Sequence, residues 1–248
     1  SVERRMRLVK WLAGAGAASR RGAGELVLAG RVKVNGRPVK EPWLDVDPSS
    51  DRVHLDGKPV RPPRPGVTLL LYKPRGVVTT RRDPQGRATV YDCLTSVKAP
   101  VQPVGRLDYD TDGVLLLTTE GSLAHRLTHP RYGVERTYRA KVRGLPDERA
   151  LRRLARGVEL DDGPGVAENV RLDTRLSRAA WVRLTVREGR SHLVKRMCEA
   201  VGHPVLKLRR VRFGGLSLAG LKSGEWRYLK DPEVKGLRRM TGMEKPKR

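Results

Sequence analysis

The sequence predicts an α+β protein in two parts, a small N-terminal αβ module followed by a larger domain built on a mainly antiparallel mixed sheet. Helical and strand periodicities are mixed over the first sixty residues, and a Pro-rich break follows. Beyond the break the chain is dominated by strand-length apolar runs with few βαβ spacings, which argues against a parallel sheet. At 248 residues, 38% of them hydrophobic, the chain is long enough to bury cores in both parts.

The N-terminal module is read element by element. Leu8, Trp11 and Leu12 fall at the i, i+3, i+4 spacing of one helix face, and Gly14 and Gly16 end that helix. Ser19 is placed to cap a second helix running to about Ala29, with Leu26 and Val27 turned inward. RVKVNGRPV then alternates with period two around Asn35-Gly36, a hairpin signal, and RVHLDG supplies a further strand at residues 52 to 57. The stretch from Lys58 to Gly66, KPVRPPRPG, reads as an extended, semi-rigid linker. The module is set at residues 1–60 and the linker at 61–66.

From Val67 onward the strand candidates are VTLLLYK, GVLLLTT, RTYRAKVR, VAENVRL and AAWVRLTVR. Helices are expected at residues 121–128, 147–156 and 190–201, giving a second domain over 67–240 and a basic tail over 241–248.

Charge narrows the partner. Lys and Arg number 52 against 27 Asp and Glu, a net charge of +25, and the basic residues run through the alternating segments as well as the tail. A polyanion is the expected partner. No apolar run approaches the roughly 20 residues that span a bilayer, and the opening residues are too polar for a secretory signal. Cys93 and Cys198 form no CxxC pair, which leaves a disulfide framework or thiolate zinc site unsupported and points to a reducing cytoplasm.

One acidic motif stands out in this basic chain: residues 105–113, GRLDYDTDG. Asp108, Asp110, Asp112 and Gly113 match the opening of a calcium loop, but the twelfth position is Thr119 where a bidentate Glu is required, and Glu120 misses by one. The motif also fits a plain acidic turn leading into a buried strand. Composition does not choose for Asp108. The five histidines show no ligand spacing either.

Longer strings carry more. AGAASRR, AGRVKVNGRPV and DRVHLDGKPV resemble the RNA-binding domain first described in small-subunit ribosomal protein four. GRLDYDTDGVLLLTTEG resembles the central motif of the RsuA/RluB-type ribosomal RNA pseudouridine synthases. The likeness continues through YKPRGVVTT, LAHRLTHPRYGVERTYRAKV, EGRSHLVKRM and GHPVLKLRRVRFGGL, so that it covers nearly the whole chain. It implies the pseudouridine synthase fold and isomerisation of uridine to pseudouridine in ribosomal RNA. The C-terminal strings look more like the large-subunit branch.

The resemblance also implies roles. Asp108 is the catalytic carboxylate, Tyr138 the tyrosine that stacks on uracil, and Lys195 the cation beside Asp108, with Arg196 as the fallback; Ser191 and Leu193 depart from the family's Asn and Gln. A helical step of about 100° lets only one of Lys195 and Arg196 reach the site. Arg106 matches the arginine implicated in base flipping. Arg20, Arg21, Arg31, Lys33 and Arg37 are expected on RNA from the first module, and Lys73, Arg75, Arg190 and Arg196 from the second. No cofactor or metal is expected, because the isomerisation involves no redox change or net hydrolysis. The expected partner is ribosomal RNA or a pre-ribosomal particle, met by a monomer. With 4% aromatic residues, a multi-base stacking sheet is not expected. The competing readings are a noncatalytic RNA-binding or assembly factor, which would not demand Arg106, Asp108, Tyr138 and Lys195 together, and a magnesium-dependent nuclease.

Overall fold

A computed structural model describes residues 5–63 and 66–244, and the chain divides into two units at Pro65/Gly66. Parts of two expected features, residues 64–65 of the linker and 245–248 of the basic tail, lie outside the described residues.

In the first unit, strand β1 (Met6–Arg7) leads into helix α1 (Leu8–Gly14), followed by α2 (Arg20–Leu28). The Ser19 hydroxyl accepts from Gly22 N, satisfying a backbone donor at the start of α2. Strands β2 (Val32–Val34), β3 (Arg37–Val39), β4 (Asp45–Val46), β5 (Val53–Leu55) and β6 (Lys58–Val60) follow. Four of these form an antiparallel sheet in the order β3-β2-β5-β6, while β1 pairs β4. Asn35 and Gly36 both have positive φ, 50° and 80°, as a two-residue hairpin turn of the right twist requires, and Asp56-Gly57 repeats the device. Lys58–Val60, read from sequence as the start of the linker, is therefore the second arm of a hairpin. Leu8, Trp11, Leu12, Ala23, Val27, Val32 and Val53 form the core. The Trp11 indole donates to Val60 O at 3.1 Å, tying β6 to α1.

The second unit contains β7 (Thr68–Lys73), β8 (Gln102–Pro103), β9 (Thr111–Thr118), α3 (Gly121–Thr128), β10 (Arg136–Arg143), α4 (Glu148–Arg156), β11 (Glu168–Arg175), β12 (Ala179–Val186), α5 (Leu193–Ala200), β13 (Val205–Phe213), β14 (Leu216–Ser217), β15 (Trp226–Tyr228) and α6 (Asp231–Met240). Its sheet runs β11-β12-β10-β13-β9-β7-β15, with β14 beside β13 and β8 beside β9. Every pairing is antiparallel except that of β9 with β13.

That parallel seam joins two differently built halves. On one side β7 and β9 are buried on both faces, between a cluster that includes Leu70, Leu116, Leu123, Leu127 and Phe213 and another that includes Leu69, Leu71, Leu115 and Leu117. This explains their unbroken apolar runs. On the other side β10, β12 and β13 alternate, turning Ala140, Val182, Leu184 and Leu208 onto Leu154 of α4 and Val194 and Met197 of α5. At the seam Gly113 has φ 120°, and a Cβ there would collide with the backbone of Arg210. At the far end Arg238 Nη2 of α6 donates to both carboxylate oxygens of Glu120, at 2.6 and 2.8 Å, and Thr241 is fully buried. Thr241 and Met243, read from sequence as tail, thus pack with the domain.

Candidate active site

Asp108 sits in the turn that feeds β9, and the turn is tied down on every side. The Thr79 hydroxyl donates to Leu107 O at 2.8 Å and faces Leu107 N at 3.3 Å. Tyr109 O accepts from Gly76 N at 2.8 Å, and Asp108 O accepts from Thr111 N at 3.1 Å. The Lys73 ammonium donates to Thr111 O and Pro74 O, both at 2.8 Å. With its backbone neighbours held in this way, the Asp108 carboxylate is presented from a rigid support.

Lys73 is a correction to the sequence reading. Expected as an RNA contact at the cleft edge, it is wholly buried, because it ends a strand covered on both faces. Burial pushes its ammonium down to about 8, with Asp112, Asp108 and Asp110 pulling the other way.

The partner of Asp108 comes from the opposite half of the sheet. Lys195 Nζ lies 3.0 Å from Asp108 Oδ2 and 2.7 Å from Asp110 Oδ1. Burial draws the Lys195 ammonium down, but hydrogen bonds to Asp110 and Asp108 and their charges raise it above its ordinary value. Burial likewise raises the Asp110 carboxyl, and Lys195, a backbone bond and the Arg75 charge more than reverse this, leaving it below the ordinary range. Asp112 turns elsewhere: Arg209 Nη2 lies 2.8 Å from its Oδ2. The three carboxylates therefore do not converge as calcium ligands would. Among the described residues no group of three or more His, Cys, Asp or Glu side chains could hold a metal ion.

Asp108 opens onto a cavity of about 430 Å³, within the roughly 300–1,000 Å³ of small-ligand sites. Arg106, Tyr138, His192 and Leu208 line it, with Arg136, Arg210 and Phe213. Arg106 is exposed, and Tyr138 is half-buried on β10. His192, in a left-handed conformation (φ 52°) before α5, brings Nε2 to 3.4 Å from Asp108 Oδ1.

Sequence reasoning missed His192, Arg136 and Arg210. Arg136 and Arg210 are 4% and 3% exposed and lie over the Phe213 ring at 5.3 and 4.9 Å. Arg136 donates to Val134 O and Leu127 O, and Arg210 Nε to Val114 O. Arg210 Nη2 has no hydrogen-bond partner among the described residues. Burial and the adjacent Arg210 charge pull the Arg136 guanidinium below its ordinary value. The signal for Arg136 was its place two residues before Tyr138 on an alternating strand, which puts both on one face.

The remaining expected RNA contacts divide. Arg20, Arg21, Lys33, Arg37 and Arg75 are exposed, and Arg31, also exposed, holds Asp56 at 2.9 Å. Arg190 and Arg196 are otherwise engaged: Arg190 spreads its donors over Glu188, Asp162 and the carbonyls of Gly163 and Pro164, and Arg196 grips Asp162 at 2.7 and 3.1 Å. They brace the loop before α5 rather than standing free for phosphate.

A carboxylate with a cation at one oxygen and a cavity before it can act as nucleophile or base on a bound group. Comparison with known proteins gives that chemistry a setting. Residues 67–200 match the family described as RNA pseudouridylate synthase, and residues 6–52 match the S4 domain. The chain belongs to the RNA pseudouridylate synthase family. It is 45% identical over 235 residues to the ribosomal large subunit pseudouridine synthase B of Bacillus subtilis (strain 168), covering 94% of this chain and 95% of that one. With the enzyme of the same name from Escherichia coli O157:H7 it shares 41% identity, covering 94% of this chain and 83% of that one. A crystal structure of pseudouridylate synthase superposes with a TM-score of 0.61 at 30% identity, covering 94% of this chain and 99% of that one. The protein is thus an RNA pseudouridine synthase, an isomerase, with an N-terminal S4 domain and a larger α+β catalytic domain.

Proposed function

We propose that this synthase isomerises a specific uridine of large-subunit ribosomal RNA, with Asp108 as its catalytic carboxylate. One observation carries the assignment: Asp108 faces a cavity that Tyr138 also lines, and Lys195 stands 3.0 Å from its Oδ2. The reaction breaks the N1–C1′ bond, turns the uracil and joins C5 to C1′; C5 loses its proton and N1 gains one, so that the product is an isomer of the substrate. Asp108 acts on the ribose, by attack on carbon or by removal of a proton, and Lys195 holds its Oδ2 at 3.0 Å from outside the cavity lining.

To reach Asp108 the target base leaves its stack, and Tyr138 receives the uracil ring. Arg106, exposed at the rim, takes the place vacated in the helix. Arg20, Arg21, Lys33 and Arg37 of the S4 domain hold the RNA backbone through charge. The large-subunit assignment is supported by the names of the relatives from Bacillus subtilis and Escherichia coli. We place the protein as a monomer in the cytoplasm, acting in ribosome biogenesis without a cofactor; among the described residues no helix is long and apolar enough to cross a membrane.

The test is tritium release from C5-labelled uridine in large-subunit ribosomal RNA in the presence of a chelator, with pseudouridines mapped in parallel. Wild type should release tritium and Asp108→Asn should not, while both bind the RNA. Full activity of the variant would remove Asp108 from the chemistry, and activity confined to small-subunit RNA would overturn the substrate.

A further inference from the structure

The registers of the catalytic sheet place four arginines side by side on four adjacent strands. Arg171 of β11 lies opposite Arg183 of β12, Arg183 opposite Arg139 of β10, and Arg139 opposite Arg209 of β13. In the neighbouring row, Lys141 of β10 lies opposite Lys207 of β13. Like charges directly across a ladder destabilise a sheet, so this arrangement opposes the fold that contains it.

Two carboxylates answer part of the charge. Asp173 lies 2.9 Å from Arg139, 3.3 Å from Arg183 and 3.4 Å from Arg171, and Asp112 lies 2.8 Å from Arg209. Among the described residues Lys141 and Lys207 are in no ion pair. Six cations thus face two acids. Trp181 and Tyr72 lie 5.0 and 5.6 Å from the Arg139 and Arg209 guanidinium carbons and hold these groups against the sheet.

The row lies on the reverse of the sheet from the active site. Strand side chains alternate, and it is the intervening residues, Tyr138 and Arg210, that line the cavity, while Ala140, Val182 and Leu208 enter the core under α4 and α5. Three interstrand steps make the arginine row about 14 Å long, wider than one phosphate group.

We propose that this reverse face is a second RNA-docking surface, which takes the phosphate backbone of a segment outside the active site. Charge complementarity selects the occupant: a row of guanidinium and ammonium groups carrying six cations against two acids suits a run of phosphates. The inference rests on the protein's substrate being RNA, and not on the role of Asp108.

The experiment measures binding of a large-subunit ribosomal RNA transcript across a salt series. The triple variant Arg171→Gln/Lys141→Gln/Lys207→Gln should bind about tenfold more weakly at moderate salt. Its slope of log affinity against log salt should be shallower by about 2 units, at roughly 0.7–0.9 for each phosphate no longer neutralised. Its melting temperature should equal or exceed that of wild type, its tritium release at saturating RNA should match wild type, and Arg171→Lys/Lys141→Arg/Lys207→Arg should restore both affinity and slope. Wild-type affinity and slope in the Gln variant would overturn the proposal, and the same RNA assay read for tritium reports separately on the catalytic assignment. Should the triple variant fold poorly, Lys207→Glu alone, at an exposed position, should lower the slope by about 1 unit, and an unchanged slope there overturns the proposal equally.

Discussion

Lys195 Nζ lies 3.0 Å from Asp108 Oδ2 although the two residues are 87 positions apart in the chain, one on α5 and the other in the turn before β9. Lys195→Met should leave Asp108 without its cation and cut kcat by about a hundredfold or more, in the range of lost electrostatic groups in active sites, while Lys195→Arg recovers part of the loss. RNA affinity should change little. Asp110→Asn serves as the comparison: it releases Lys195 from its second carboxylate, and kcat should fall by less than about tenfold. Equal losses in the Asp108 and Asp110 variants would show that the carboxylates act as a pair.

Lys73 makes a pH prediction. Burial sets its folded pKa at about 8, below the ordinary 10.5, so between these values the unfolded chain binds the proton more tightly. Stability owed to Lys73 therefore rises as pH climbs from about 8 to 10.5, and below about 8 the full cost of a buried ammonium is present. Denaturant unfolding of wild type and Lys73→Met across this window should show the difference moving in favour of wild type as pH rises. A constant difference would mean that the ammonium is not held down.

Arg210 separates stability from activity. Its Nη2 is buried without a partner beside a second buried arginine, an arrangement that an apolar side chain of similar volume would relieve. Arg210→Met should melt at the same temperature as wild type or higher, yet lose at least about tenfold in kcat, since a buried positive charge in the cavity wall is removed. Scanning calorimetry and single-turnover tritium release read the two effects independently. Loss of stability with unchanged kcat would make Arg210 a structural residue.

Gly113→Ala tests the seam. The added methyl would meet the Arg210 backbone and force an alanine into φ 120°, so unfolding free energy should fall by about 3 kcal/mol or more. Denaturant titration measures it. Gly36→Ala, whose added Cβ meets nothing within 4 Å, should cost less.

What the sequence revealed follows the range of the interactions. The Ser19 cap and the Asn35-Gly36 turn are decided within four residues, so local chemistry exposed them. Strand β13, VLKLRRVRF, gives no clear strand signal, because Arg210 occupies an inward position where an apolar residue would have marked the period. The same habit of placing cations outside misled the reading of Lys73, a residue type almost never buried. Helix α6 offered too few apolar positions to announce itself, and its Arg238 meets Glu120 across 118 residues. In the site, the strings around Asp108, Tyr138 and Lys195 pointed to residues of which Asp108 and Tyr138 line one cavity, while Lys195 meets Asp108 from outside its lining. The engagement of Arg190 and Arg196 with Asp162, about thirty residues upstream, left no trace in spacing.

The order of strands in the catalytic sheet bears on synthesis. β7, which carries Lys73 under the Asp108 turn, is flanked by β9 and by β15 from near the end of the described chain, and Phe213 and Leu237 complete the core on one of its faces. The N-terminal unit closes on contacts within its own 65 residues. As the chain leaves the ribosome, the S4 unit has all its strands while the catalytic sheet still lacks β15, the neighbour of β7.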